Sequence, residues 1–282
     1  MPPYDAEVAG HASEVRVGRL TRYPVKACAP ERLEAAELGP AGLRHDRVLA
    51  VTVVDEIVTQ REHPQLSRVR PVLDDATLEL RLGFDGLDPA AATVAADGET
   101  RTVTIFGEPV AVVDQPAELS AWFSEVLQRD ARLVMAPGTT RRRSPGERTG
   151  QTVLADQGTV SVHSQASLDA LNARLAARGH PALPADRFRA NLVLDGCPAH
   201  AEDTATTMTV GEVVLGFAQT DERCAVTTVD QQAGRRAGPE PLRTLATYRR
   251  AETGGGVHFG VYLTVETPGT VRLGDAVVLH GS

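Results

Sequence analysis

The chain has 282 residues, a formal charge of −8 at pH 7 and a sequence pI near 5.5, a length that suits one large domain or two modest ones. The acid excess argues against broad nucleic-acid binding, and no apolar run approaches the roughly 18 residues of a membrane span. Residues 1–10 lack the basic start and apolar stretch of a secretory signal, so a cytoplasmic setting without a membrane is expected.

Runs rich in Val, Leu, Ile and Thr predict strands over 15–20, 48–54, 103–113 and 133–136. Between the last two, 116–128 places Leu119, Trp122, Phe123, Val126 and Leu127 on one face behind Pro116, which predicts a helix. Residues 137–150 hold Arg141, Arg142, Arg143, Ser144, Pro145 and Gly146. They read as a linker or solvated loop, with a loop folded over an anionic ligand as an intermediate option.

A strand over 159–163 then leads to a helix beginning near Ser164 or Ser167. It carries Leu168, Leu171 and Leu175 at helical spacing and stops at Gly179 and Pro181. Strands over 191–194, 208–218, 261–266 and 270–279 complete the chain. Two of them, Met-Thr-Val-Gly-Glu-Val-Val-Leu from 208 and Val-Arg-Leu-Gly-Asp-Ala-Val-Val-Leu from 271, put glycine before an acid between short apolar runs. Many short strands and two helices predict a mainly β fold of β-barrel type with a few helices.

Three polar clusters interrupt the apolar strands. Lys26, the sole lysine among 29 basic residues, stands with Cys28 after Tyr23, and Arg44 to Arg47 follow before the next strand. A lysine surviving alone among arginines marks either a place that needs a compact ammonium or a chance surface position. Ser164 and Ser167 open the second helix, where they suit an anion site and equally an ordinary cap. Arg189, Asn191, Arg223 and Cys224 form the third cluster. With Cys28 and Cys197, Cys224 makes an odd set of three cysteines without a C-x-x-C pair, which fits free thiols rather than a disulfide framework. Arg223, next in sequence, favours the Cys224 thiolate if the side chains approach. One thiolate suits a soft metal centre better than a structural zinc site with about four ligands. Serine-hydrolase and P-loop patterns are absent. Residues alone lead to an anion-binding β protein with one candidate thiolate.

Tyr-Pro-Val-Lys (23–26), Gly-Leu-Arg-His-Asp-Arg (42–47) and Thr-Gln-Arg-Glu-His-Pro-Gln-Leu (59–66) resemble the N-terminal β-barrel domain that precedes MOSC domains. Ser-Gln-Ala-Ser-Leu (164–168), Phe-Arg-Ala-Asn-Leu-Val-Leu (188–194), Arg-Cys-Ala-Val-Thr-Thr-Val-Asp (223–230) and Phe-Gly-Val-Tyr-Leu (259–263) resemble the MOSC domain itself. The resemblance runs in order from about residue 14 to the C-terminus and takes in amidoxime-reducing members. It implies an N-terminal barrel over 14–136, an arginine-rich linker or loop over 137–150, and a MOSC barrel over 151–282. It further implies molybdenum cofactor bound through Cys224, with Lys26, Arg47, Ser164, Ser167, Arg189 and Asn191 holding the pyranopterin and its phosphate and Arg223 beside them.

The implied reaction is two-electron reduction of N-hydroxylated small molecules. No cysteine follows Cys224, so no fused ferredoxin segment is expected and electrons come from a separate donor protein. His163, His258 and Asp230 are the candidate acids. Two departures stand out: Ala27, where a hydroxyl residue is common, and Glu222, which is placed either to repel an anionic centre or to select a cationic substrate. Two other readings are a non-redox cofactor or sulfur carrier acting through Cys224, and pyridoxal-phosphate binding through Lys26.

Overall fold

The structure, a computed structural model, describes residues 14–251 and 255–281. Strands dominate. Thr100–Ile105, Glu108–Asp114, Arg132–Met135, Leu49–Val53 and Glu56–Ile57 close into a five-stranded barrel. Its interior is built from alternate strand residues such as Val103, Ile105, Val110 and Val112, all buried. Helix α1, Ala117–Leu127, packs Leu119, Trp122 and Phe123 into a second core beside it. It starts behind Pro116 and stops where Gln128 turns left-handed at φ 54°.

The second half is an eight-stranded sheet in the order Glu31–Arg32, Arg16–Arg22, Leu192–Asp195, Val160–Ser164, His258–Thr267, Val213–Glu222, Ala205–Val210, Val277–Gly281. Its long central pair, Val213–Glu222 with His258–Thr267, is antiparallel and shifts register three times. Such bulges bend and twist a sheet. Helix α2, Gln165–Ala177, covers one end through Leu168, Leu171 and Leu175.

Hydrogen bonding laces the two halves of the chain together. Arg16–Arg22 pairs antiparallel with Leu192–Asp195, and Ala35–Gly39 pairs with Gly269–Arg272. The segment leaving the first strand therefore runs along the seam between barrel and sheet.

Four expectations change on folding. Segment 103–113 is a hairpin turning at Phe106 and Gly107 (φ 51° and 80°), and 208–218 is another turning at Gly211 (φ 57°). Both positions take the positive φ that two-residue hairpins require. Segment 270–279 splits at Gly274 into strands that join different sheets. The arginine-rich stretch is no free linker: Arg142–Ser144 pairs with Gly150–Thr152. Its arginines find acceptors on the protein, Arg142 on Ala155 O at 2.9 Å and Glu108 at 3.2 Å, and Arg148 on Glu266 at 2.7 Å. No described helix is long and apolar enough to cross a membrane.

Candidate functional site

The seam opens into a cavity lined by residues far apart in sequence: Lys26, Ala27, Arg47, Gln60, Arg61, Asp156, Ser161, Arg187, Arg189, Asn191, Asp221, Glu222, Arg223, Cys224 and Tyr262 among others. Six of these are cationic and three are carboxylates. Ala27, Arg47 and Arg189 hold positive φ of 69°, 49° and 52°. For residues with a Cβ this costs about 1 kcal/mol or more each, the sort of strain that concentrates at ligand sites.

The chain reaches the cavity floor through a single turn. Lys26 N donates to Leu49 O at 2.8 Å, which pins the turn to the barrel. The Lys26 ammonium is buried, donating to Leu154 O at 2.7 Å and pairing with Asp156. Burial lowers its pKa, with Asp156 opposing. Arg47 and Arg189 both lie over the buried Tyr23 ring, their guanidinium carbons 4.5 and 4.2 Å from its centroid. Arg47 pairs with Asp46 and donates to Arg189 O at 2.9 Å. Arg189 donates to Cys28 O at 2.7 Å, and its Nη2 is buried without an acceptor. Burial lowers the Arg189 pKa. Asn191 Oδ1 accepts from Ser161 N at 3.1 Å and Arg47 Nη1 at 3.4 Å, holding the Arg47 guanidinium in place.

Cys224 follows the end of the strand Val213–Glu222 and precedes a 3₁₀ turn, Ala225–Thr228. Of the three cysteines only this one is partly exposed. Arg61 donates to its Sγ at 3.2 Å while bonding Asp156 at 2.9 Å. The neighbouring Arg223 turns away from the sulfur. It donates to Phe259 O at 2.8 Å and Phe188 O at 3.0 Å and pairs with Asp221 at 2.7 Å. The cation on the sulfur thus comes from the barrel half, 163 residues distant in sequence. Cys28 is sealed in the core, where burial pushes its thiol up to about 12, and burial also raises Cys197.

Lys26, Arg47, Arg189, Asn191, Arg223 and Cys224 therefore meet in one cavity. Ser164 and Ser167 do not: they are fully buried and absent from its lining. Ser164 Oγ accepts from Ser167 N at 3.0 Å as the cap of α2, and Ser167 donates to the buried Glu202 at 2.6 Å. Capping uses both hydroxyls, which leaves them no lone role as an anion site. None of the three candidate acids lines the cavity either. Burial among Phe188 and Phe259 depresses His163 to about 4. His258 bonds Thr220 at 2.9 Å, and Asp230 caps its own turn through Gln232 N and Ala233 N.

The cavity also holds groups that sequence reasoning did not single out: Arg61, Asp156, Ser161, Asp221 and Tyr262. Arg61 lies inside the 59–66 motif, but its reach to Cys224 is tertiary. Asp221 is 1% exposed and accepts from Ser161 Oγ at 3.0 Å. Burial raises its pKa to about 6 against the pull of Arg223. Asp156 goes the other way: burial alone would raise it, yet Lys26 and Arg61 hold it well below the usual carboxylate range. Two carboxylates in one cavity are thereby pushed apart in acidity.

Residues 14–130 match the MOSC N-terminal beta barrel domain family, and residues 149–278 match the MOSC domain family. Mitochondrial amidoxime-reducing component 1 from Mus musculus is 32% identical over 283 residues, covering 94% of this chain and 82% of that protein. Mitochondrial amidoxime reducing component 2 from Bos taurus is also 32% identical, covering 93% and 82%. Molybdenum cofactor sulfurase from Oryza sativa subsp. japonica is 30% identical, covering 90% of this chain but 33% of that larger protein. Two domain matches and alignments of this length make the chain a member of the MOSC family, with that family's N-terminal β-barrel domain ahead of the MOSC domain.

Proposed function

We propose that this protein binds the molybdenum cofactor in the seam cavity, with the Cys224 thiolate as a metal ligand, and reduces N-hydroxylated compounds. The observation that carries the reading is the position of Cys224: the one partly exposed cysteine lies in a cavity lined by six cations, with Arg61 on its sulfur. The amidoxime-reducing and sulfurase relatives support the same chemistry.

The residues present fit such a group. Arg189 Nη2 and Arg187 Nε are buried N–H groups without acceptors, in a cavity whose cations outnumber its carboxylates. An anionic pyranopterin phosphate supplies what they lack. Lys26, Arg47, Arg189 and Asn191 would hold it, and Cys224 would hold the metal. When bound, the cofactor supplies the two-electron redox couple.

Breaking a substrate N–O bond to give the N–H product and water consumes two electrons and two protons. The electrons come from a separate donor protein. Asp221 is the acid we assign to proton supply: it lines the cavity, burial raises its pKa to about 6, and it accepts a hydrogen bond from Ser161 Oγ. Asp156 stays charged and keeps Lys26 and Arg61 in place.

Protein from cells with intact cofactor synthesis should carry about one molybdenum and one molybdopterin per chain and reduce benzamidoxime with a reduced viologen. Cys224→Ser should lose turnover and keep metal only when supplied with excess cofactor. Folded protein without molybdopterin would defeat the cofactor reading; loaded protein that reduces no N–O bond would defeat only the reaction.

The likeness to cofactor sulfurase favours a second reading, in which Cys224 carries a transferable sulfur or holds cofactor for delivery. Intact-mass measurement would then find a Cys224 persulfide, and bound cofactor would pass readily to an acceptor protein.

A further inference from the structure

Arg61 reaches Cys224 from the other half of the chain, and local bonds fix its backbone first. It lies in a turn between the barrel strand Glu56–Ile57 and the 3₁₀ helix Pro64–Arg68. Thr59 Oγ1 accepts from Arg61 N at 3.1 Å and donates to Glu62 at 2.9 Å, and Glu62 also accepts from Thr59 N at 3.1 Å. Further bonds tie this turn to the segment that follows Cys224. The buried Gln60 and Gln231 side chains exchange amide hydrogen bonds of 3.0 and 2.9 Å, and Arg236 donates to Arg61 O at 3.1 Å.

The guanidinium is held as firmly. Its Nη2 carries two hydrogens, one for Asp156 at 2.9 Å and one for Cys224 Sγ at 3.2 Å. The Phe106 ring lies against it, with its centroid 5.1 Å from Cζ. That ring is 53% exposed at a turn position of φ 51°, where asparagine, aspartate or glycine fits a hairpin better. The cation it covers gives an exposed aromatic a reason to stand there. Arg61 therefore meets the sulfur already oriented.

A cation bonded to a thiolate draws negative charge off the sulfur, which then gives less to a metal it binds. Hydrogen bonds to sulfur ligands and nearby charge are levers on the potential of such centres. We propose that Arg61 is a positioning residue: through the Cys224 sulfur it raises the reduction potential of molybdenum held there, which makes the barrel domain part of the redox site. This rests on the cofactor reading of the same cavity. Arg61 is the cation placed to do so. Arg223 is bound to Asp221 and two backbone carbonyls, and Lys26 is engaged by Asp156 and Leu154 O.

Redox titration of the cofactor-loaded protein, followed by the EPR signal of its molybdenum, tests this. Arg61→Met keeps an unbranched side chain and removes the donor. At a fixed applied potential the ratio of oxidised to reduced metal should rise ~10-fold, a fall of about 59 mV for a one-electron step. Phe106→Leu, at an exposed position, keeps the guanidinium but loosens it, and should shift the ratio the same way by ~2- to 3-fold. In Cys224→Ser reloaded with excess cofactor, Arg61→Met should shift it no more than ~3-fold, because the route through the sulfur is gone.

An unchanged potential in Arg61→Met, or equal shifts with and without Cys224→Ser, would overturn the assignment. Should Arg61→Met lose molybdopterin, Phe106→Leu decides: a wild-type potential there overturns the assignment, and the downward shift upholds it. Wild type that takes up no molybdopterin defeats the assignment together with the cofactor reading. Loaded protein with an unmoved potential defeats the assignment alone, whether or not it reduces an N–O bond.

Discussion

Two buried arginines, Arg22 and Arg189, show how the same residue serves opposite ends in this molecule. Arg22 leaves the first strand against Glu31 at 2.7 Å, Asp75 at 2.5 Å and Leu73 O at 2.9 Å. Burial works against its charge, but the two carboxylates overrule it and its pKa is raised. Arg189 lies across the seam on the Tyr23 ring and one backbone carbonyl, with Nη2 unpartnered, and its pKa is lowered. A buried cation with its anions built in is structural; one without them is incomplete until an anion arrives.

The largest expected effect breaks the structural side of this comparison. Arg22→Met leaves Glu31 and Leu73 O without their donor and should cost about 3 kcal/mol in urea unfolding, with molybdopterin per folded molecule unchanged. Arg189→Met should do the reverse. Molybdopterin affinity should fall ~10- to 100-fold, about 2 kcal/mol, while the cofactor-free protein melts no lower than wild type. Parallel losses of stability and cofactor in both variants would erase the distinction.

Asp221 sharpens it through pH. Its folded pKa of about 6 lies above the ordinary 3.8, so its protonated form stabilises the fold below the lower value. That contribution disappears as pH rises through the higher one. Between these values wild type should lose on the order of 2 kcal/mol relative to Asp221→Asn, read from melts at each pH. In the loaded enzyme, kcat/KM should fall above about pH 6, and Asp221→Asn should lack that limb.

The smallest effect concerns the neighbouring polar cluster. Ser164→Ala removes the α2 cap and should cost about 1 kcal/mol, leaving cofactor content as it was. A matching loss of molybdopterin would return Ser164 to the binding site.

The sequence carried the strand-rich fold because β-branched runs and turn glycines are local signals. It missed the sheet of Arg70–Leu73, Glu79–Phe84 and Leu87–Thr93. Leu80 and Leu82 do alternate inward there, but the third strand holds three alanines, an aspartate and a proline among seven residues, types depleted in strands. It is kept by its pairing, by core packing of Leu87, Ala90 and Ala92, and by Trp122 Nε1 donating to Asp88 O at 2.8 Å. The floor residues Lys26, Arg47, Arg189 and Asn191 were legible through ordered motifs. Arg61 and Asp156 were not, since their meeting with Cys224 and Lys26 exists only after barrel and sheet close on each other. Ser164 and Ser167 mark the converse: a serine pair at a helix start reads identically as cap or anion site until Glu202 is seen beneath it.

Molybdenum K-edge X-ray absorption on the loaded protein tests the central assignment most directly. Wild type and Cys224→Ser, reloaded with cofactor where necessary, should differ by one sulfur in the metal's coordination shell. An identical shell in both would show that the Cys224 sulfur does not bind the metal.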